Sequence, residues 1–103
     1  LLPLAACDST GGGAPDFGDA YRVVSASLDG DVLTVAVESS GGCRQHTYEP
    51  RERSGTATTE VWFVHDANGD MCEALVGQTL AVSVSPTGPV VLLTPDGRAL
   101  PLR

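Results

Sequence analysis

The chain has 103 residues and a net charge of -7, from six basic residues, all arginine, and 13 acidic residues. This length suits one domain with a modest core, and an apolar fraction of 42% favours a folded globule over a disordered tail. An acidic surface repels phosphate backbones, so we expect no nucleic-acid partner. The sequence has no apolar run of about 18 residues, so we expect no membrane-spanning segment in it.

The first residues carry a short processing motif. Leu4-Ala5-Ala6-Cys7 resembles the lipobox of bacterial lipoproteins, in which the cysteine becomes the new, lipidated N-terminus. The resemblance implies that Cys7 is the lipidation site, that residues 1–6 are the end of a signal peptide, and that the protein is held to a membrane by the lipid. The alternative is that residues 1–6 form a first strand and that Cys7 is a core thiol.

A polar stretch rich in glycine follows the motif at residues 8–18, and this composition is typical of a flexible linker. We therefore expect three parts: residual signal peptide at residues 1–6, a lipid-anchored linker at residues 7–20, and a folded domain at residues 21–103. The expected location is the cell envelope, on its periplasmic or extracellular face.

Apolar residues recur at every second position from Tyr21 onward, which indicates half-buried β-strands. The clearest signal is Asp29-Gly30 between two such runs, because this dipeptide favours a tight hairpin turn. Pro50 is expected to end a short polar strand, and residues 72–76 form a helical turn at most. The seven predicted strands are residues 21–28, 31–38, 44–49, 58–65, 79–85, 90–94 and 98–102.

Seven short strands separated by turns are typical of a sandwich or small barrel. We predict an all-β fold, a small antiparallel β-sandwich that is immunoglobulin-like or similar. The period-two pattern predicts one buried face on each strand. The predicted core residues are Val24, Leu28, Leu33, Val35, Val37, Phe63, Leu80, Val82, Val84 and Leu93.

Two cysteines remain when Cys7 is set aside. An even number of cysteines in an exported domain favours a disulfide between Cys43 and Cys72, each of which follows a turn that contains glycine. The competing interpretation is a zinc site, because Cys43, His46, His65 and Cys72 together form a Cys₂His₂ ligand set. With the disulfide formed, His46 and His65 are expected to be ordinary half-buried or loop residues.

An acidic turn precedes the second of these cysteines. Asp66, Asn68 and Asp70 match alternate positions of a calcium-binding loop, but Met71 stands where that loop requires glycine. We therefore interpret this run as a turn stabilised by its own side chains.

The two cysteine segments also carry a family resemblance. Gly41-Gly42-Cys43-Arg44-Gln45-His46, taken with residues 65–74, resembles small envelope lipoproteins of bacteria, with the C-terminal β-sandwich of NigD-like lipoproteins as the nearest named relative. The resemblance covers residues 39–86. It implies an envelope β-sandwich and transfers no activity or catalytic residue.

Signatures of catalysis are missing from the sequence: it has no Gly-x-Ser-x-Gly elbow, phosphate loop or His-Glu-x-x-His motif. We expect a non-enzymatic binding or scaffolding module without a cofactor, whose partner is an envelope protein or a glycan. Trp62 would suit such a contact if it were exposed. The alternatives are a zinc-binding protein and, more remotely, a small hydrolase.

Overall fold

The computed structural model describes residues 15–55, 57–85 and 88–102, and these ranges fold entirely as strands and turns. None of these ranges contains a helix that is long and apolar enough to cross a membrane. Cys7, residues 1–6 and the start of the linker lie outside the described residues. The strands are β1 (Arg22–Asp29), β2 (Val32–Gly41), β3 (Thr47–Ser54), β4 (Thr59–Asp66), β5 (Ala74–Ser83), β6 (Val90–Leu93) and β7 (Ala99–Pro101).

The seven strands form two sheets, in the orders β1-β2-β5 and β3-β4-β6-β7. Among the described strands, every neighbouring pair is antiparallel except β4 and β6, which run parallel. Side chains from both sheets share one apolar core. The predicted β-sandwich is therefore confirmed, with a mixed second sheet.

The β1–β2 hairpin forms where the sequence predicts it. Gly30 lies in the turn with a φ of 62°, a conformation that favours glycine because it has no Cβ. The pairing register shifts between Val23 and Ser25, which marks a β-bulge. The extra residue shifts the alternation of buried and exposed side chains by one position at the start of β1. Val23 is therefore buried, and the predicted core residue Val24 is 53% exposed.

The core lies between β2 and β4, the best covered strands of the two sheets. Alternate residues of both strands are buried, as the period-two pattern requires. Of the predicted core residues, Leu33, Val35, Val37, Phe63, Leu80 and Val84 are buried. Leu28, Val82 and Leu93 are half-buried.

Two strand boundaries differ from the prediction. β3 runs straight through Pro50, because an edge strand leaves alternate backbone positions unpaired and a proline there costs no ladder bond. β5 begins at Ala74, in the segment expected to form a helical turn, because Ala74–Gln78 pairs with the end of β2. Pairing with a distant strand outweighs the weak local preference of this segment.

The segment before β1 is already part of the fold. His65 donates its backbone N–H to the carbonyl of Phe17 at 2.9 Å, and Asp19 donates to the carbonyl of His65 at 2.8 Å. Phe17 also packs against the core. The folded body therefore includes residues that the composition assigns to the linker, and this short segment continues the sheet beside β4, past the end of β6.

Candidate functional site

The two cysteines and two histidines of the predicted sites lie together at one end of the sandwich. Cys43 lies in the β2–β3 connection and Cys72 in the β4–β5 connection. The two form a disulfide, with their Cα atoms 5.8 Å apart. The predicted pairing is confirmed, and it fastens together two connections that cross between the sheets.

Asp70, which lies just before Cys72, is the centre of this end. Its Oδ2 accepts hydrogen bonds from the backbone N–H groups of Cys43 at 3.1 Å and Arg44 at 3.0 Å, while Oδ1 accepts from the N–H of Cys72 at 3.0 Å. Oδ2 also lies 2.9 Å from Nε2 of His46, and the Asp70 side chain is fully buried. The His46 hydrogen bond, followed by the three backbone N–H groups, holds the pKa of Asp70 well below its usual range against the opposing effect of burial.

His46 and His65 continue the hydrogen-bond chain from Asp70 into the protein. Nδ1 of His46 lies 2.9 Å from Nε2 of His65. Nδ1 of His65 in turn lies 3.2 Å from the carbonyl oxygen of Asp19 and 3.1 Å from that of Ala20. Both imidazoles are buried, with exposed fractions of 9% for His46 and 2% for His65. His46 lies in a loop, the β2–β3 connection, as expected. His65 lies on β4, so the expectation of a half-buried or loop position is wrong for His65.

The hydrogen-bond partners of His46 and His65 indicate which ring nitrogens donate. The ionised Asp70 carboxylate only accepts, so Nε2 of His46 donates to it; carbonyls also only accept, so Nδ1 of His65 donates to Asp19 and Ala20. The two remaining ring nitrogens, Nδ1 of His46 and Nε2 of His65, face each other. The three side chains thus form one continuous chain of hydrogen bonds that ends at the Asp19 and Ala20 carbonyls.

Aromatic rings enclose His65 on two sides. The Tyr48 ring stacks on it at 4.3 Å with an interplanar angle of 5°, and the Tyr21 ring meets it edge-on at 5.7 Å. The Tyr21 hydroxyl donates to the carbonyl of Phe63 at 2.8 Å, and burial raises the pKa of Tyr21 to about 12. Burial also raises the pKa of Tyr48. These rings cover two sides of the imidazole and restrict its movement.

Ser39, His46 and Asp70 have the composition of a hydrolase triad, but their arrangement differs from that of an active nucleophile. Ser39 Oγ lies 3.4 Å from Nδ1 of His46, which has a closer partner in His65, and Oγ accepts a hydrogen bond from the Tyr48 hydroxyl at 3.3 Å. Ser39 is only 6% exposed. A substrate carbonyl therefore has no approach to its oxygen in this arrangement.

An open cavity of about 430 Å³ lies beside the cluster. Its wall includes Asp19, Ser40, His65 and Asp70, and Met71, also on the wall, is 90% exposed. The cavity therefore brings solvent to the edge of the buried histidine and carboxylate.

The four residues of the predicted zinc set do gather at this end, but not as four ligands. The cysteine sulfurs are joined to each other, so neither is a thiolate. Among the described residues, the side chains with ligand atoms close enough to share a metal ion are Cys43, Asp70 and Cys72, whose ligand atoms lie within 4.8 Å of one another. Asp70, and neither predicted histidine, is therefore the third residue of this group.

Sequence reasoning missed Asp70 because the run from Asp66 to Asp70 is also ordinary turn chemistry. The turn is real: Asn68 donates its N–H to Asp66 Oδ1 at 2.8 Å, and Asn68 has a φ of 57°. A usable signal was the position of Asp70 two residues before a predicted disulfide cysteine, where its carboxylate can reach backbone N–H groups of both connected loops.

Trp62 lies elsewhere, on the outer face of β4, while its neighbour Phe63 fills the core. The indole is half-buried, and the guanidinium carbon of Arg53 lies 5.4 Å from its ring centroid, a cation–π distance. Arg53 also pairs with Glu60 at 2.7 Å. The ring face that a sugar would need is therefore shared with an arginine.

No protein-family model matches this chain, and no curated protein or solved structure is significantly similar to it.

Proposed function

We propose that this chain is a lipid-anchored binding or scaffolding module of the bacterial cell envelope, without enzymatic activity. The observation that carries the proposal is the closed polar cluster clamped by the Cys43–Cys72 disulfide. Disulfides persist in oxidising compartments outside the cytoplasm, which supports an exported protein. The Leu4-Ala5-Ala6-Cys7 motif supports a membrane attachment through Cys7.

The cluster supports a structural role over a reactive one. Asp70, His46 and His65 use one another and nearby backbone groups as hydrogen-bond partners, and Ser39 is buried beneath Tyr48. A fully satisfied buried network stiffens the fold around it. Its effect here is to hold two connecting loops in one conformation, which suits a surface that recognises an envelope protein or a glycan.

Fatty-acid labelling tests the anchored location. The chain is expressed behind a complete lipoprotein signal peptide in a bacterium that acylates lipoproteins, and the cells are fed an alkyne fatty acid. We expect labelled protein in the membrane fraction, and no label on the Cys7→Ala variant. The double variant Cys43→Ser/Cys72→Ser serves as the matched control and retains the label. An unlabelled wild-type protein in the soluble fraction contradicts the proposal.

A second candidate function, metal binding, is favoured by the convergence of Cys43, Cys72 and Asp70. It requires reduction: a dithiol donor passes two electrons and two protons to the disulfide, which yields two thiols and the oxidised donor. After reduction and release of the two thiol protons to solvent, Cys43, Cys72 and Asp70 would hold zinc through two thiolates and a carboxylate.

Zinc titration of the full chain separates the two candidates. Protein reduced with dithiothreitol and then freed of reductant is compared with oxidised protein, using a colorimetric chelator as competitor. Metal binding predicts one zinc per reduced chain, none per oxidised chain, loss of the site in Cys72→Ser, and retention in His65→Ala. A reduced chain that takes up no zinc excludes this candidate.

A further inference from the structure

Both sheets end in edge strands, and unpaired edges are templates for association unless they are protected. Within the described part of the chain, three of the four edges carry such protection. β1 is bulged between Val23 and Ser25, and Arg22 on it pairs with Glu38. β3 is crowded with charges around Pro50, and β7 is only three residues long and ends in Pro101.

β5 is the exception. Its ten residues, Ala74–Ser83, read ALVGQTLAVS and include no charged residue and no proline. Its pairing with β2 is continuous, without a bulge. No other strand among the described residues pairs with its second edge. Among the described residues, a long, regular and uncharged edge strand is therefore available in a chain whose net charge is -7.

The first half of β5 is exposed on both of its faces. Every residue from Ala74 to Thr79 is exposed except Val76, which is half-buried, and Leu75 is 73% exposed. Met71, three residues before the strand, is 90% exposed. The second sheet thus leaves this part of β5 uncovered, and apolar surface accompanies the free backbone edge.

We propose that β5 pairs antiparallel with β5 of a second copy of this chain, around a twofold axis. The two three-stranded sheets then join into one sheet of six strands. The new outer edges are the two bulged β1 strands, so assembly stops at a dimer. The inference goes beyond the envelope role proposed above and does not depend on the lipid anchor.

The absence of charge on β5 and its self-complementary register favour a second copy as the occupant. Two chains of charge -7 repel each other, and contact is least unfavourable where each contributes no charge at all, as β5 does. The strand also complements itself: in a register centred on Gln78, Leu75 of one copy lies opposite Ala81 of the other, and both belong to the outer face.

Sedimentation equilibrium of the full chain tests the proposal, with Cys7→Ser introduced so that no stray thiol joins two copies. We expect a reversible monomer–dimer equilibrium that tightens with added salt, because salt screens the repulsion between the acidic copies. Amide hydrogen exchange on the same protein should show concentration-dependent protection along β5 and none along β3.

Gln78→Lys places two like charges opposite each other on the axis and should weaken the dimer by roughly tenfold or more. Ser27→Lys, an exposed position on β1, changes the net charge equally and should leave the dimer unchanged or slightly tighter. A chain that stays monomeric at all concentrations and salt levels overturns the proposal, as does a dimer indifferent to Gln78→Lys. A monomer that binds a neutral extended peptide along β5 overturns it in favour of a different partner.

Discussion

The polar groups at the disulfide end of the molecule are buried and hydrogen-bonded to one another, whereas those along the free edge of β5 lack a neighbouring strand in the described part of the chain. Around Asp70, four hydrogen bonds meet on one buried carboxylate, and two histidines complete the network. Along β5, in the residues that the structure describes, the backbone groups of one whole edge have no strand beside them. Yet the two regions are adjacent in sequence, since Cys72 is followed within two residues by Ala74.

The reason for this difference is burial. Burying a carboxylate and two imidazoles is unfavourable unless every donor and acceptor is matched, so the cluster has a single workable arrangement. An exposed edge has water as a partner and tolerates being left open. The disulfide at Cys72 lies two residues before β5, so it restrains the start of this strand.

Removing the disulfide should have the largest effect on the closed region. Cys43→Ser/Cys72→Ser opens a loop with a sequence separation of 29, and chain entropy predicts a loss of about 3.5 kcal/mol in the free energy of unfolding. Urea denaturation followed by Trp62 fluorescence measures it, with Cys7→Ser as the control that should not change stability. A loss below roughly 1 kcal/mol would show that the cluster holds both loops without the bond.

Asp70→Asn removes the buried negative charge on which four hydrogen bonds meet. Because the folded pKa of Asp70 is depressed, its stabilisation is present above the unfolded value of about 3.9 and is lost as pH falls below it. The variant should have a lower urea midpoint at neutral pH and a shallower decline on acidification. Asp96→Asn, at an exposed carboxyl whose pKa is also lowered, is the control and should change both far less. Parallel pH profiles for wild type and Asp70→Asn would contradict this assignment.

Gly41→Ala tests how tightly the cluster is packed. A Cβ on Gly41 would lie 2.6 Å from Nε2 of His46 and 2.8 Å from Oδ2 of Asp70, so it must push the pair apart. We expect a loss of roughly 1–3 kcal/mol, as for other overpacked sites. Gly77→Ala, where the nearest atom is 3.9 Å away, is the matched control within a strand. Equal melting temperatures for the two variants would mean that the cluster has room to move.

The smallest effect on folding is expected at the open edge. Leu75→Ser alters a side chain that is 73% exposed, and in dilute solution it should change the free energy of unfolding by about 0.5 kcal/mol or less. Leu80→Ser, in the same strand but buried at 8% exposure, should destabilise the fold strongly. If Leu75→Ser costs as much as Leu80→Ser in dilute solution, Leu75 is covered within the monomer and the edge is not open.

Much of the fold could be read from the sequence, and the departures have local causes. The hairpin at Asp29-Gly30 and the inward faces of β2 and β4 follow from turn chemistry and period-two burial. The period-two pattern predicts that Val24 is buried, because the bulge beside it leaves no mark in the sequence. The sequence predicts that β3 ends at Pro50, because it does not indicate which strands lie at an edge.

The all-β class and the seven strands of the described residues follow from the sequence, because local periodicity and turn residues predict them. The even count of cysteines favoured the Cys43–Cys72 disulfide but left a zinc site open, and the bond in the structure settles the pairing. The meeting of His46, His65 and Asp70 depends on the folded chain, since these residues are separated by up to 24 positions and share no local pattern. The tertiary structure also decided that uncharged β5 lies at an edge with β2 as its one described neighbour. Strand order depends on which long-range pairings bury the most apolar surface, and that is a property of the whole chain.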